Sequence, residues 1–277
     1  MPYSALILTH NESLNIRRCL ESLQGCDDVV VVDSFSTDDT VAIAESLGAR
    51  VLARGFDTFA SQRNWGVEHG RFRHAWILHL DADECLTPAL HAEIERTIAR
   101  DGRSAYLIAN QLIFMGRWIR HASMYPYYQA RLLKRGEAWF GQVGHGQILA
   151  HAERGVGTLH EPYVHHNFSR GVSDWVTRHN RYSTDEARRL CQSRGVTPAG
   201  PATHTGSPES RQQWRKRLAA RLPFRPVVRF VYLYFIRLGF LDGRQGFDYC
   251  VLMSFYDYLT RLKAREMAAA AHEDATP

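Results

Sequence analysis

The sequence predicts an α/β fold: an open, mostly parallel sheet flanked by helices, with a helical extension at the C-terminal end. Three observations lead there. Residues 28–33 (DVVVVD) form a short β-branched run that ends in a turn, the pattern of a strand buried on both faces of a parallel sheet. The first hundred residues alternate strand-like and helix-like segments. Beyond residue 210 the composition shifts to arginine interleaved with aromatic residues.

Taken in order, residues 3–9 (YSALILT) are a short apolar strand. Residues 12–23 carry Leu14, Ile16, Cys19, Leu20 and Leu23 at helical spacing. The strand at 28–33 is followed by a turn and helix N-cap region at 34–39, a helix at 41–47, a strand at 50–53 and a strand at 76–80. From 104 to 168 the pattern is mixed: strand-like AYLIANQLIF at 105–114, aromatic-rich YPYYQARLL at 125–133, and a histidine-rich stretch up to His166. These read as the second half of the same domain. Residues 171–191 read as a helix, and 193–210 are rich in Gly, Pro, Ser and Thr, as in a flexible linker. The expected organisation is one domain over 1–192, a linker over 193–210 and a basic, aromatic-rich helical extension over 211–277.

With 277 residues, 45% hydrophobic and 23% charged, the chain has the composition of an ordinary globular protein rather than a disordered one. Its five cysteines are odd in number and include no CxxC pair, so the sequence points to neither a disulfide framework nor a zinc knuckle, and a reducing cytoplasm suits it. The N-terminal residues run straight into a strand without the pattern of a secretion signal.

Residues 75–86 (AWILHLDADECL) carry the chemistry. An apolar strand ends in Asp81, Asp83 and Glu84, with no basic residue nearby in the sequence to neutralise them. Hard divalent cations such as Mn²⁺ or Mg²⁺ favour carboxylate oxygens placed this way, and such a cation needs an anionic partner. In open α/β sheets ligands bind beyond the carboxyl ends of the strands. Asn11 and Glu12, Asp33, and Asp81 with Asp83 all follow strands at that edge.

The segments LTHNE (8–12), VVVDSFSTDDT (30–40) and HLDADE (79–84) together resemble the family 2 glycosyltransferases, which have the nucleotide-diphospho-sugar transferase fold called GT-A. YYQARLLKRG (127–136) and RHNRYST (178–184) resemble the bacterial branch that builds lipopolysaccharide cores and exopolysaccharides, so the resemblance covers roughly residues 3–183. It implies an inverting, metal-dependent hexosyltransferase, working from a nucleotide-diphospho-sugar, with a UDP-sugar the expected donor, toward a lipid-linked, lipopolysaccharide or exopolysaccharide acceptor. Glu12 and Asp33 would hold the nucleoside, as acceptors for imide N–H and ribose hydroxyl groups, while Thr9 and Asn11 shape the loop. Asp33 also suits a plain turn and cap, and Asp38 and Asp39 suit either role. Asp81 and Asp83 match the DxD motif, in which the second Asp is the metal ligand and the first contacts ribose or metal. Arg63, in Gln62–Arg63–Asn64, would reach the donor or lie at the surface. His165 would complete the shell of Mn²⁺, although with 14 histidines in the chain a role without chemistry suits it equally. Arg131 would bind the diphosphate or the acceptor, or form a buried ion pair.

In this family a carboxylate normally takes the acceptor proton. Relatives often show a His-Glu pair where this chain has VGHGQ at 143–147, with no acid. The candidates for the base are therefore His145, whose neutral imidazole accepts a proton at pH 7, and Glu161, with Glu84 a further one. RHNRYS at 178–183 has no evident chemistry and would pack its helix against the active-site floor.

Residues 211–237 contain eight Arg or Lys and no Asp or Glu, among Trp214, Phe224, Phe230, Tyr232, Tyr234 and Phe235. The longest apolar run, 230–236, is far short of the roughly 20 residues that span a bilayer. It suits a helix lying in the membrane interface, where each Lys or Arg near anionic lipid contributes about 1 kcal/mol. The expectation is a peripheral enzyme on the inner face of the bacterial cytoplasmic membrane, with an anionic membrane surface as partner and no nucleic acid. Two other readings are a nucleotidyltransferase of similar fold, which ordinarily has a glycine-rich loop that LTHNESLN lacks, and a membrane- or nucleic-acid-binding module centred on 211–265. For residues 247–262, packing against a second subunit is a further alternative.

Overall fold

A computed structural model describes residues 2–100, 102–143, 146–195 and 224–273. The chain divides into two compact units, Met1–Trp118 with Tyr125–Ser169, and Ile119–Met124 with Arg170–Pro277.

The first unit opens with β1 (Tyr3–Thr9), α1 (Ile16–Glu21), β2 (Val29–Asp33), α2 (Thr40–Ser46), β3 (Arg50–Ala53), α3 (Phe59–His69) and β4 (Trp76–Asp81). It continues through β5 (Glu84–Cys85), α4 (Pro88–Arg100), β6 (Ala105–Phe114), β7 (Arg117–Trp118) and β8 (Tyr128–Lys134). It ends with β9 (Ala138–Val143), β10 (Gly146–Ala152), β11 (Val156–Thr158) and β12 (Tyr163–His165). The main sheet has the order β3-β2-β1-β4-β8-β6-β12-β5, and β9 and β10 form a separate two-stranded ribbon. β1 pairs in parallel with β2 and β4, and β2 with β3, whereas β8 is antiparallel to both β4 and β6.

Both faces of the central strands are covered, which is why their sequences read as continuous apolar runs. All seven residues of β1 are buried. Alternation splits them: Ala5 and Ile7, with Val31, Leu78 and Leu80, pack toward Ile16, Cys19 and Leu20 of α1 and Leu90 and Ile94 of α4. Leu6 and Leu8, with Val30, Val32 and Ile77, pack toward Trp65 and Val67 of α3. Fully burying one such side chain stabilises by roughly 1.5–3 kcal/mol. α3 approaches most closely at Gly66, where a Cβ would stand 2.9 Å from Leu6 Cδ1 and 3.0 Å from Val32 Cγ2.

α3 itself has no counterpart among the sequence expectations, which run from the strand at 50–53 directly to that at 76–80. The reason is its composition. Its buried positions are Ala60, Gln62, Arg63 and Gly66, so the inward face carries no apolar stripe for periodicity to detect. The Thr58 hydroxyl caps it by accepting from Ser61 N–H.

The second unit is helical: α5 (Gly171–Gly195), α6 (Arg225–Val231), a π turn (Tyr232–Ile236), a 3₁₀ turn (Gly239–Asp242) and α7 (Gly243–Glu273). Lys263 Nζ of α7 lies within 2.6–2.9 Å of Asn180 O, Asn180 Oδ1, Ser183 Oγ and Thr184 Oγ1 of α5. Asn180 and Ser183 of the RHNRYS segment thus contact α7, within this unit. Asp242, 2% exposed, accepts from the backbone N–H groups of Arg120, His121 and Ala122. Of the linker expected at 193–210, residues 193–195 complete α5; the remainder, and the basic run at 211–223, lie outside the described residues. Among the described residues, no helix is long and apolar enough to cross a membrane.

Candidate functional site

Register brings the predicted residues to one edge. Thr9 stands opposite Asp33 in the β1–β2 pairing, and Leu8 opposite Asp81 in the β1–β4 pairing, so three strands end level. Past that edge, β5 turns Glu84 against His165 of β12.

The loops after β1 and β2 interlock. Asn11, with φ 53°, donates from its backbone N–H to Ser36 Oγ at 2.8 Å, and its side-chain oxygen accepts from Thr37 N–H at 2.7 Å. The Glu12 backbone N–H donates to Thr40 Oγ1 at 2.7 Å, and its carboxylate accepts from Asn15 Nδ2 at 2.6 Å. Asp33, 2% exposed, accepts from Thr9 Oγ1 at 2.9 Å and from the backbone N–H of Ser36 at 2.8 Å, with the Ser36 hydroxyl as a third donor. Its carboxylate organises the turn, as Asp38 does by accepting from Ser13 N–H at 3.1 Å and from Thr40. The Glu12 side chain is half-buried beside them.

At the end of β4 the structure corrects one expectation: the acids do have cationic neighbours. Arg63 Nη2 lies 2.6 Å from Asp81 Oδ1, and Arg131 Nη2 lies 3.0 Å from Asp81 Oδ2. The same Arg131 nitrogen also pairs with Glu84 Oε1, and Glu84 Oε2 accepts the backbone N–H of Asp81 at 2.9 Å. The arginines come from α3 and β8, 18 and 50 residues away from Asp81 in the chain, which is why the local sequence shows no counter-charge. Both are buried. Arg63 donates further to Gln147 Oε1 at 2.9 Å and lies over the Phe140 ring. Arg131 donates to Gln129 Oε1 at 2.9 Å, which also accepts from the Tyr163 hydroxyl at 2.7 Å. Arg63 is therefore interior, not surface, and Arg131 is in the buried ion pair.

The electrostatics follow from this packing. Burial alone would raise the Asp81 carboxyl, but Arg63 and then Arg131 outweigh it and hold the group at about 2. Burial raises Glu84 against the pull of Arg131. His165 Nε2 faces Asp83 Oδ2 at 3.4 Å; burial would lower the imidazole, yet Asp83, then Glu84 and Asp81, push it up to about 9. The backbone N–H of His166 donates to Asp83 O at 2.8 Å, tying the end of β12 to the turn between β4 and β5.

Thr9, Asn11, Glu12 and Asp33 thus share one loop pair, and Arg63, Asp81, Asp83, Arg131 and His165 share one cluster. Glu161 does not join them. It lies four residues before His165, ahead of the start of β12, and its backbone N–H donates to Glu93 of α4 at 2.8 Å. His145 lies outside the described residues. Gln129, Gln147 and Tyr163 carry no mark in the sequence as site residues, and their parts appear only when β8, β10 and β12 are seen against the arginines.

Among the described residues, no three His, Cys, Asp or Glu side chains converge so as to hold a metal ion by themselves. The donor set still fits a hard cation of one kind. Mg²⁺ and similar ions are usually bound by one or two carboxylates together with substrate phosphates, and Asp83 and Asp81 are partly exposed, at 21% and 33%, on the open edge.

Residues 4–151, just over half of the chain, match the profile of Glycosyl transferase family 2. The chain is 30% identical over 274 residues to an uncharacterized glycosyltransferase of Rickettsia felis, covering 95% of this chain and 89% of that one. It is 26% identical over 271 residues to the lipopolysaccharide core biosynthesis glycosyltransferase LpsC of Rhizobium meliloti, covering 95% and 92%. Among solved structures it is similar to the mannosyltransferase PcManGT from Pyrobaculum calidifontis, in complex with GDP-Man and Mn²⁺, at 15% identity and a TM-score of 0.55, covering 95% of this chain and 86% of that one. That likeness concerns the fold, which is the GT-A architecture.

Proposed function

This chain belongs to glycosyl transferase family 2, and we propose on that premise that it moves a sugar, with inversion, from a nucleotide-diphospho-sugar to a lipid-linked or lipopolysaccharide acceptor at the inner face of the cytoplasmic membrane. The observation that carries the donor part of this reading is the level ending of β1, β2 and β4, which sets the Glu12–Asp33 loop pair beside Asp81 and Asp83. Similarity to the Rhizobium meliloti lipopolysaccharide core enzyme supports the acceptor class.

In this reading the Glu12 carboxylate and the loop organised by Asp33 take the nucleoside. Asp83, with Asp81 behind it, holds Mn²⁺ or Mg²⁺, and His165 stands beside Asp83 to complete that shell. When bound, the cation neutralises the charge that builds on the diphosphate leaving group. Arg63 and Arg131 keep Asp81 ionised and fixed, so the residues of the pocket need no rearrangement as charge develops. Arg131 acts here through Asp81 and Glu84 rather than on the diphosphate. We assign the proton of the acceptor hydroxyl to His145. Two placements support this: Glu84 is engaged by Arg131, and Glu161 precedes β12 with its backbone tied to Glu93 of α4.

A panel of UDP-, GDP- and dTDP-sugars, assayed with Mn²⁺ for release of nucleoside diphosphate in the presence of lipid-linked saccharides, tests the proposal. Turnover of one donor with an inverted anomeric product supports it. A retained configuration, or formation of a nucleotide-sugar bond in place of its cleavage, overturns it.

A further inference from the structure

α7 is amphipathic in the reverse of the usual sense. Its inward positions are Cys250, Ser254, Asp257, Thr260 and Ala264, all small or polar. Its outward positions, spaced by three or four residues, are Phe247, Val251, Phe255, Tyr258 and Leu262, each between 42% and 47% exposed. α6 repeats the arrangement: it has no buried residue, and Val227, Val228 and Val231 point outward, followed by Phe235 and Ile236 of the π turn at 54% and 68%. The two helices meet below these stripes, where the Phe247 ring stands edge-on to the half-buried Phe230 and Tyr234, 5.7 Å between centroids in both cases. A soluble helix normally turns such a stripe inward. A joined apolar surface of this extent marks a contact with something else.

The charges beside it choose the occupant. Arg225, Arg229 and Arg261 all face the single carboxylate of Asp257, at 3.4, 4.0 and 3.7 Å. Three cations against one anion leave this part of the unit positive, and residues 211–237 add no acid anywhere in the sequence. A second copy of the chain would meet this surface through the same patch on itself, setting like charge against like. A bilayer rich in anionic phospholipid supplies both an apolar layer and negative charge at its surface.

We infer that the outward stripes of α6 and α7 form a bilayer-insertion surface for anionic phospholipid, with Val228, Phe235 and Phe255 entering the acyl boundary. This deepens the proposed function, resting on it for its purpose: it names the surface and the lipid chemistry that bring the enzyme to a membrane-held acceptor.

The test uses the full chain and phosphatidylcholine vesicles with and without one third phosphatidylglycerol, in a sedimentation assay. The expected result is binding to the phosphatidylglycerol vesicles, weakened by roughly tenfold or more in Val228→Asp/Phe255→Asp and unchanged in Val156→Asp, an exposed substitution on β11. Phe235→Trp, which keeps the surface apolar, should gain a fluorescence component quenched by brominated acyl chains. Absence of vesicle binding by the native chain overturns the inference. So does equal binding by the Val228→Asp/Phe255→Asp variant, which would mean adsorption by charge alone, or conversion of a native dimer to a monomer by that variant, which would mean a second copy covers the face. Nucleotide-sugar binding by the native chain separates the two readings: its absence with vesicle binding present strikes at the transferase reading and leaves the surface standing.

Discussion

Arg63 Nη2 and Asp81 Oδ1 stand 2.6 Å apart, joining the interior face of α3 to the last residue of β4. Because Arg131 takes the other oxygen of the same carboxylate, Asp81 is fixed from two sides. The pair of acids Asp81 and Asp83 is therefore asymmetric. Its first acid is built into a buried ion network, and its second faces His165 at the open edge.

Arg131→Met should destabilise the protein by about 3–5 kcal/mol, because it leaves the fully buried Glu84 carboxylate without its cation. Adding Glu84→Gln should recover part of the loss, since the amide oxygen still accepts the Asp81 N–H. Urea unfolding of the single and double variants measures both. Additive losses would show that the pair is not coupled.

Gly66→Ala tests how α3 is seated. The new Cβ would stand 2.9 Å from Leu6 Cδ1, so α3 must move outward, at a cost of about 1–3 kcal/mol. Arg63 lies one helical turn earlier, so donor affinity should fall along with the melting temperature. An unchanged melting temperature would mean the sheet yields freely at this point.

Asp38 links acid stability to the loop pair. Burial is outweighed by hydrogen bonds from Thr40 and Ser13, and the carboxyl is held at about 2, below its ordinary 3.8. A depressed carboxyl contributes stability fully above its unfolded value and loses it as the pH falls toward 2. Asp38→Asn should cost about 1 kcal/mol at neutral pH, as loss of a cap does, and should flatten the decline between these two pH values. An equally steep decline in the variant would place the acid sensitivity elsewhere.

Lys263→Met removes the ammonium that Asn180, Ser183 and Thr184 surround. The expected loss is about 1–3 kcal/mol, with faster amide exchange in α5 near residues 180–184. Unchanged exchange there would show that apolar contact alone holds α5 to α7.

The parts of this structure that a reader of the sequence can find are those with local signatures. β1, β2 and β4 are legible because burial on both faces demands unbroken apolar runs, and Asp33, Asp81 and Asp83 are legible as acids at strand ends. Arg63 and Arg131 are not legible as the partners of Asp81, since nothing in residues 59–69 or 128–134 points to an acid 18 or 50 positions away. α3 escapes periodicity because its inward side is Ala, Gln, Arg and Gly. In α7, spacing groups Phe247, Val251 and Phe255 on one face, but only the packing of Cys250, Ser254 and Asp257 shows that this face is outward.

The most direct test of the asymmetric acid pair is calorimetry of UDP, GDP and dTDP binding with Mn²⁺ and with EDTA, on the native chain, Asp83→Ala and Asp81→Ala. The native chain should bind one of these nucleotides, and only with Mn²⁺ present. Asp83→Ala should lose that Mn²⁺-dependent binding with the melting temperature nearly kept, and Asp81→Ala should have a lowered melting temperature, because two buried arginines lose a shared counter-charge. Metal-independent nucleotide binding by the native chain, or equal thermal loss in the two variants, would contradict it.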